Sequence, residues 1–502
     1  MIRPDSRASA TAARGLYLCW IAALAWLAVL LSAGRAAARD PSDEEVRSAV
    51  VRVEVSRAGH DWAAPWKLLP PESASGTAFL IDGARLLTNA HVVRDAQQVT
   101  VKRNDGSAPA IATVEAVDDD CDLALLRVAN SSFLRGLRPL HVGDLPQVGS
   151  NVVTYGYPLG GLEMSTTAGV VSRIEQRAYL EGLSKHLVVQ TDAALNPGNS
   201  GGPVVQRGLV VGVAFQVMSG AQSIGFFIPA PVVRHFLDDF TDGHYTGFPD
   251  MPIRVLPLSS PAYRRERRLP DERSGVVVQE IAAGSDLGAA LEPGDVLMAV
   301  DGKRVADDGT CQVGVARVPF FHLVDMKSLG QRVRFEVWRD GKAMSAEWKA
   351  SQFPPWDRLR RSRFKPRYLV YAGLLFVPAT LEYFSATHPL GARRAAILHE
   401  LAFRSWEPPP AIDRETVLLA HVFSNPANAG VDPTVPFVVE RLNGQSVRNL
   451  ADLARLLEES HQKQDVFELG PFHHVEAIDR EQALSARATI LSTYGISNDK
   501  SL

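Results

Sequence analysis

Between Val50 and Pro229 the chain is a succession of short apolar runs, VVRVEV, TAFLI, ARLLT, QVTVK, LALLRV, NVVTY, HLVVQ and GLVVGVAF, parted by Gly, Asp, Asn and Pro. Such spacing predicts an all-β sandwich or barrel. Phe79-Leu80-Ile81 and Leu86-Leu87 flank Asp82-Gly83, which predicts a hairpin whose two turn residues take positive φ. A helix then closes the unit. Pro231 suits its first turn, and Val232, Val233, Phe236, Leu237 and Phe240 recur on one face.

A length of 502 residues predicts about three units, since domains usually run roughly 100–200 residues. With 46% hydrophobic and 22% charged residues the chain has apolar side chains enough for several cores and is not disordered as a whole. Polar, Gly- and Pro-containing stretches at Thr241–Pro252 and Ser351–Pro366 mark the breaks. Basic residues from Arg358 to Arg367 gather at the second break; no nucleic-acid fold signature accompanies them, so a solvated linker is expected and no nucleic-acid partner. The formal net charge of −3 agrees with that. After the first break come GVVVQEI, PGDVLMAVDGKRV and RVRFEVWRDGK; after the second come TVLLAHVF, VVERLNGQSV and a helix with Leu450, Leu453, Leu456 and Leu457 on one face. Two related small α+β modules account for this partial repeat.

The N-terminus carries Arg3, Arg7 and Arg14, an uncharged apolar run from Gly15 to Gly34, then Ala36-Ala37-Ala38. That order predicts a secretory signal over residues 1–38, cleaved after Ala38. The run is also long enough, at about 20 residues, to stay as a membrane anchor. Either form places the remainder outside the cytoplasm, in a periplasmic or otherwise exported location, with a membrane contact only if the segment is uncleaved. Of the cysteines, Cys19 lies in that run, while Cys121 and Cys311 fall in separate units, so no disulfide framework is expected. No Cys/His grouping has metal-ligand spacing, and neither a metal nor a cofactor is expected.

Peptide hydrolysis needs an activated nucleophile, a base that titrates near neutrality, and donors for the developing oxyanion. Asn196-Pro-Gly-Asn-Ser-Gly-Gly-Pro203 offers Ser200 as the nucleophile, in a glycine-rich turn able to aim the N–H groups of Gly198 and Ser200 at one spot. His91, just after a predicted strand in Thr88-Asn-Ala-His-Val-Val93, is the candidate base. Asp122 stands at the mouth of the apolar run Leu123–Val128, where a carboxylate needs a partner; orienting the His91 ring would supply one. Taken singly, each residue also fits a turn or packing role. Together, in the order His, Asp, Ser inside one β unit, they follow the chymotrypsin-like arrangement. The spacing Gly198-Asn-Ser-Gly-Gly202 also matches an esterase elbow, but there the histidine follows the serine and the nucleophile sits between strand and helix.

TNAHVV, DLALLRV and NPGNSGGPVV resemble the Deg/HtrA serine proteases, as do YGYPLG, TAGVVS and IGFFIP. Through DGHYTGFP, VAFQ, YAGLLFVP and ISNDKSL the similarity looks closest to the plant Deg branch with two PDZ-type modules. The resemblance covers nearly the whole mature chain. It implies a mainly β fold: a chymotrypsin-like double-barrel protease domain over 39–248, then PDZ-like α+β domains over 252–351 and 366–492. It further implies ATP-independent cutting of unfolded or damaged proteins in envelope quality control, trimer-based assembly, and a substrate pocket with Ala194 at its base and Ala214, Phe215 and Gln216 along one wall. The segment GFPDMPIRV departs from the family in lacking a glycine-rich carboxylate-binding loop, and the export signal departs from the plant branch. A scaffold or chaperone that binds unfolded chains without cutting is the rival; retention of all three triad types favours the enzyme.

Overall fold

The computed structural model describes residues 42–179, 185–217, 224–353, 365–386, 397, 406, 414–470 and 473–502. The apolar N-terminal segment expected to direct export and most of the basic stretch Arg358–Arg367 lie outside the described residues. Six strands close the first barrel: β1 (Val50–Arg57), β2 (Glu72–Ile81), β3 (Arg85–Thr88), β4 (Ala96–Lys102), β5 (Ala110–Asp118) and β6 (Leu123–Val128), in the order β1-β2-β3-β6-β5-β4. The second barrel holds β7 (Asn151–Gly156), β8 (Ser165–Ala178), β9 (Lys185–Thr191), β10 (Pro203–Gln206), β11 (Leu209–Val217) and β12 (Gly225–Pro229), ordered β10-β11-β12-β9-β8-β7. β-Branched residues supply the interior, with Val51, Val53, Val99, Val101, Val171, Val189 and Val213 all buried. Closure of each sheet on itself leaves no unpaired edge in either barrel.

The β2–β3 hairpin differs from the expected two-residue turn. Ile81 pairs with Arg85, so Asp82, Gly83 and Ala84 make the loop, and the positive φ falls on Gly83 (78°) and Ala84 (57°) rather than Asp82. A loop one residue longer reverses the chain with a left-handed residue at its end, which suits the strand twist equally well. The closing helix is as predicted: Ala230–Asp239 begins with proline in its first turn and buries Val232, Val233 and Phe236.

Beyond the barrels, a sheet runs in the order Ile253–Pro257, Val276–Ile281, Val296–Val300, Arg332–Arg339, Lys342–Lys349. Its edge strand Ile253–Pro257 and the short helix Phe321–Asp325 border a cavity of about 420 Å³ lined by Met251, Val255, Phe320 and Val324. The last unit orders its strands His474–Asp479, Gln464–Gly470, Phe437–Leu442, Val417–Val422, Leu374–Pro378, Tyr368–Tyr371, Lys500–Ser501. Leu450, Leu453, Leu456 and Leu457 of helix Leu450–Glu459 are buried, as their spacing predicted. Strand Lys500–Ser501, past residue 492, pairs with Tyr368 and Leu369 and so completes this sheet. Cys121 and Cys311 are buried and unpaired.

Candidate active site

His91 opens a single 3-10 turn directly after β3. The buried side chain of Asn89 donates to the Asp122 carbonyl at 2.9 Å and the Ala90 N–H donates to the same oxygen at 3.1 Å, which fixes the histidine turn against the entry of β6. Asp122 itself has φ 52°, a left-handed conformation that aspartate tolerates better than most residues. That conformation turns its carboxylate back on His91: Oδ1 accepts the His91 N–H at 2.9 Å, and Oδ2 lies 2.7 Å from Nδ1. A carboxylate only 4% exposed is costly without partners, and here both oxygens are engaged. Oδ2 favours the tautomer with the proton on Nδ1, leaving Nε2 as the basic nitrogen.

Ser200 arrives from the second barrel in a turn shaped by glycine. Gly198 has φ 102° and Gly201 φ 84°, and a Cβ on Gly201 would lie 2.0 Å from the Thr77 carbonyl oxygen. Only glycine allows that approach. The Gly202 N–H donates to the Asn199 carbonyl at 2.9 Å, and the Thr77 N–H donates to the Ser200 carbonyl at 2.9 Å. A Cβ on Gly76 would meet Val92 Cγ1 at 2.7 Å and the Ser200 carbonyl oxygen at 3.3 Å, so the histidine turn and the serine turn lie against one glycine of β2. The Ser200 hydroxyl lies 3.4 Å from the Phe215 carbonyl.

The residues expected to line a substrate pocket divide. Ala194 is exposed, and its carbonyl accepts from Thr167 Oγ1 at 3.1 Å. The side chains of Ala214 and Phe215 instead face the interior, the Phe215 ring 4.7 Å from that of Tyr179, so these two residues offer a pocket their main chain and not their side chains. The cause is a β-bulge between Ala214 and Gln216, which takes Phe215 out of the ladder with β12. Gln216 lies in β11, with its side chain outside the described ones. Asp192, two residues before Ala194, turns its carboxylate to the Val170 N–H at 2.6 Å.

Behind the site lies a buried polar cluster that the sequence did not signal. Burial, helped by the charge of Asp120, raises the carboxyl of Asp118, which accepts from the Tyr245 hydroxyl. Burial also lifts the neighbouring Cys121 thiol well above its ordinary range, which makes it unreactive. His186 of β9 faces Asp325 of the first PDZ-like unit at 2.8 Å, both buried. Burial would lower the His186 pKa, but the charge and hydrogen bond of Asp325 outweigh it and the net direction is upward. Thr77 was likewise missed. In SGTAFLI it reads as one more strand-forming residue, and nothing local announces its contacts with a turn far away in sequence.

Residues 76–213 match the trypsin-like peptidase domain, and residues 359–502 match a PDZ domain. Protease Do-like 2, chloroplastic, of Arabidopsis thaliana is 35% identical over 473 residues, covering 91% of this chain and 76% of its own length. The chain belongs to the Deg/HtrA family. It is a serine endopeptidase with a trypsin-like domain of two closed barrels and a PDZ domain. A second Deg relative, Protease Do-like 4, mitochondrial, of Arabidopsis thaliana, is 34% identical over 396 residues, which is 78% of this chain and 73% of that protein. Among solved structures, the HtrA-type protease AlgW with tripeptide aligns with a TM-score of 0.48 at 26% identity, covering 62% of this chain and 97% of that one.

Proposed function

We propose that His91, Asp122 and Ser200 are the catalytic triad of this Deg/HtrA protease, and that the N–H groups of Gly198 and Ser200 form its oxyanion hole. The observation that carries the reading is the double grip of Asp122 on His91, by the main-chain N–H and by Nδ1. With the Nδ1 proton facing the carboxylate, Nε2 takes the proton from Ser200 Oγ as Oγ bonds to the substrate carbonyl carbon. Negative charge moves onto the carbonyl oxygen, where the two N–H groups receive it. On collapse His91 returns the proton to the departing amine, leaving an acyl ester on Oγ. Water then attacks the ester while His91 removes its proton, and Oγ leaves as the hydroxyl with that proton.

Ser200→Ala removes the nucleophile and almost no volume. Cleavage of a reduced, alkylated unfolded protein is expected to fall by about 10⁴–10⁶-fold with circular dichroism unchanged; undiminished turnover in the purified variant rejects the assignment.

The wider setting is also a proposal. The protease unit spans 39–248, one PDZ-like module lies at 252–351, and the last module, expected over 366–492, runs on to the strand Lys500–Ser501 that pairs with Tyr368 and Leu369. Substrates are unfolded or damaged proteins of a cell envelope, cut without ATP by assemblies built on trimers. The apolar run Gly15–Gly34 followed by Ala36-Ala37-Ala38 supports export, and the Deg motifs support the rest. N-terminal sequencing should find a chain beginning near Arg39 in an extracytoplasmic fraction, and solution mass should be a multiple of three chains; an intact cytoplasmic chain or a monomer contradicts the respective reading.

A further inference from the structure

We propose that Thr77 is a positioning residue for the oxyanion turn: from the first barrel it holds the Gly198–Asn199 and Ser200–Gly201 peptide groups, which flank the Asn199–Ser200 peptide, and so aims the N–H of Ser200. This rests on the reading of Ser200 as nucleophile.

Thr77 is fully buried in β2 and makes three hydrogen bonds to the second barrel and one to β3 of its own. Its hydroxyl donates to the Gly198 carbonyl at 2.7 Å and accepts the Tyr157 N–H at 3.0 Å. Because the tyrosine amide occupies a lone pair, the hydroxyl proton is directed at Gly198. The Thr77 N–H donates to the Ser200 carbonyl at 2.9 Å, and the Thr77 carbonyl accepts from Thr88 Oγ1 at 2.7 Å, three residues ahead of His91. One residue therefore ties the strand that leads to the histidine to the turn that carries the serine.

The physical need for such a tie follows from glycine. At φ 102° Gly198 has many alternative conformations of similar energy, so its own backbone does not hold the turn in place. Within the turn, the plane of Asn199–Ser200 is fixed by the Gly202 N–H on the Asn199 carbonyl at 2.9 Å. The plane of Gly198–Asn199 is held at its carbonyl by the Thr77 hydroxyl and at its N–H by the Asn196 carbonyl, 2.9 Å away. Without that hydroxyl the Gly198–Asn199 peptide can rotate about the bonds on either side of it, and the adjoining Asn199–Ser200 peptide then carries the Ser200 N–H away from the oxyanion. The Thr77 methyl has a separate, steric part, since a Cβ on Gly202 would come within 3.3 Å of it.

Thr77→Val keeps the shape and removes the hydroxyl. For the folded variant kcat should fall by about 10²–10³-fold, the cost of one misplaced oxyanion donor. KM should change little, and affinity for a peptide aldehyde, which forms a tetrahedral adduct at the serine, should fall in parallel with kcat. Thr77→Ser, which restores the hydroxyl, should recover most of kcat. A folded Thr77→Val enzyme with wild-type kcat overturns the proposal. So does a Thr77→Ser enzyme as impaired as Thr77→Val, and that comparison remains available through Thr77→Ala if the valine variant does not fold. Ser200→Ala measured alongside separates the two readings: if it still cuts, the nucleophile is misassigned, whereas a dead Ser200→Ala beside a fully active Thr77→Val rejects only the role of Thr77.

Discussion

A carboxylate buried beside an imidazole does two things at once: it satisfies its own need for donors and it decides which ring nitrogen is basic. Asp122 does both, because its left-handed backbone lets one side chain reach the His91 N–H and Nδ1 together. Asparagine keeps the size and tolerates the same φ, but its NH₂ group would face Nδ1 and favour the opposite tautomer. Asp122→Asn is therefore expected to lower kcat by about 10³–10⁴-fold with the fold intact, read from initial rates at saturating substrate. A loss below tenfold would mean that the carboxylate does not set the tautomer. At this scale much was legible in the sequence. His91, Asp122 and Ser200 each sit in a short stretch whose composition reflects local constraints, such as the glycines around Ser200. Thr77 was not legible, because its partners Gly198 and Tyr157 are distant in the chain and threonine is ordinary in a strand.

Among the elements, the bulge in β11 sets which groups the proposed substrate pocket offers. Phe215 turns inward against Tyr179, Ala194 presents a methyl group, and the Asp192 carboxylate is engaged with the Val170 N–H. A substrate Arg or Lys entering such a pocket would lose its hydration without an opposing charge, at a cost of several kcal/mol. Small and medium aliphatic side chains before the cut are therefore expected to dominate a cleavage map of an unfolded protein read by mass spectrometry; predominance of Arg and Lys would place the pocket elsewhere. The two modules also differ as elements. Ile253–Pro257 is an edge strand with one side unpaired, the arrangement to which a peptide can add by strand pairing. In the last unit Leu374–Pro378 is flanked by Val417–Val422 on one side and by Tyr368–Tyr371 on the other. Its edges are both taken within the chain.

Across the whole molecule the units are joined by side chains rather than by linkers alone. Trp66 packs 5.5 Å from both Tyr368 and Phe423, so the loop between β1 and β2 lies on the last unit. The first PDZ-like unit is tied to the second barrel by His186 and Asp325, with Asp118, Asp120, His235 and His322 nearby in the same buried region. The folded-state pKa of His186 is raised above the ordinary 6.5, so the stability from this pair is complete below that value and is lost as pH rises through the raised one. Burial lowers His235 and His322, which gives them the opposite pH dependence. The comparison that isolates the pair is thus wild type against Asp325→Asn. The variant is expected to be less stable by about 1–3 kcal/mol in mildly acidic solution and by less in alkaline solution, measured by urea unfolding. An equal difference at both pH values would show that protonation of His186 does not contribute.

The strand-rich protease unit, the closing helix, the two smaller α+β units and the His, Asp and Ser candidates could all be read from the amino-acid order alone. Those features depend on periodicity, turn residues and short motifs, all of which are written in neighbouring positions. The tertiary structure decided the rest: closure of the sheets into two barrels, the inward turn of Phe215, the clamp of Thr77 on the serine turn, and the buried contact of His186 with Asp325. Each of these joins residues far apart in the chain, and which distant groups meet is fixed by strand register and packing that no local pattern contains.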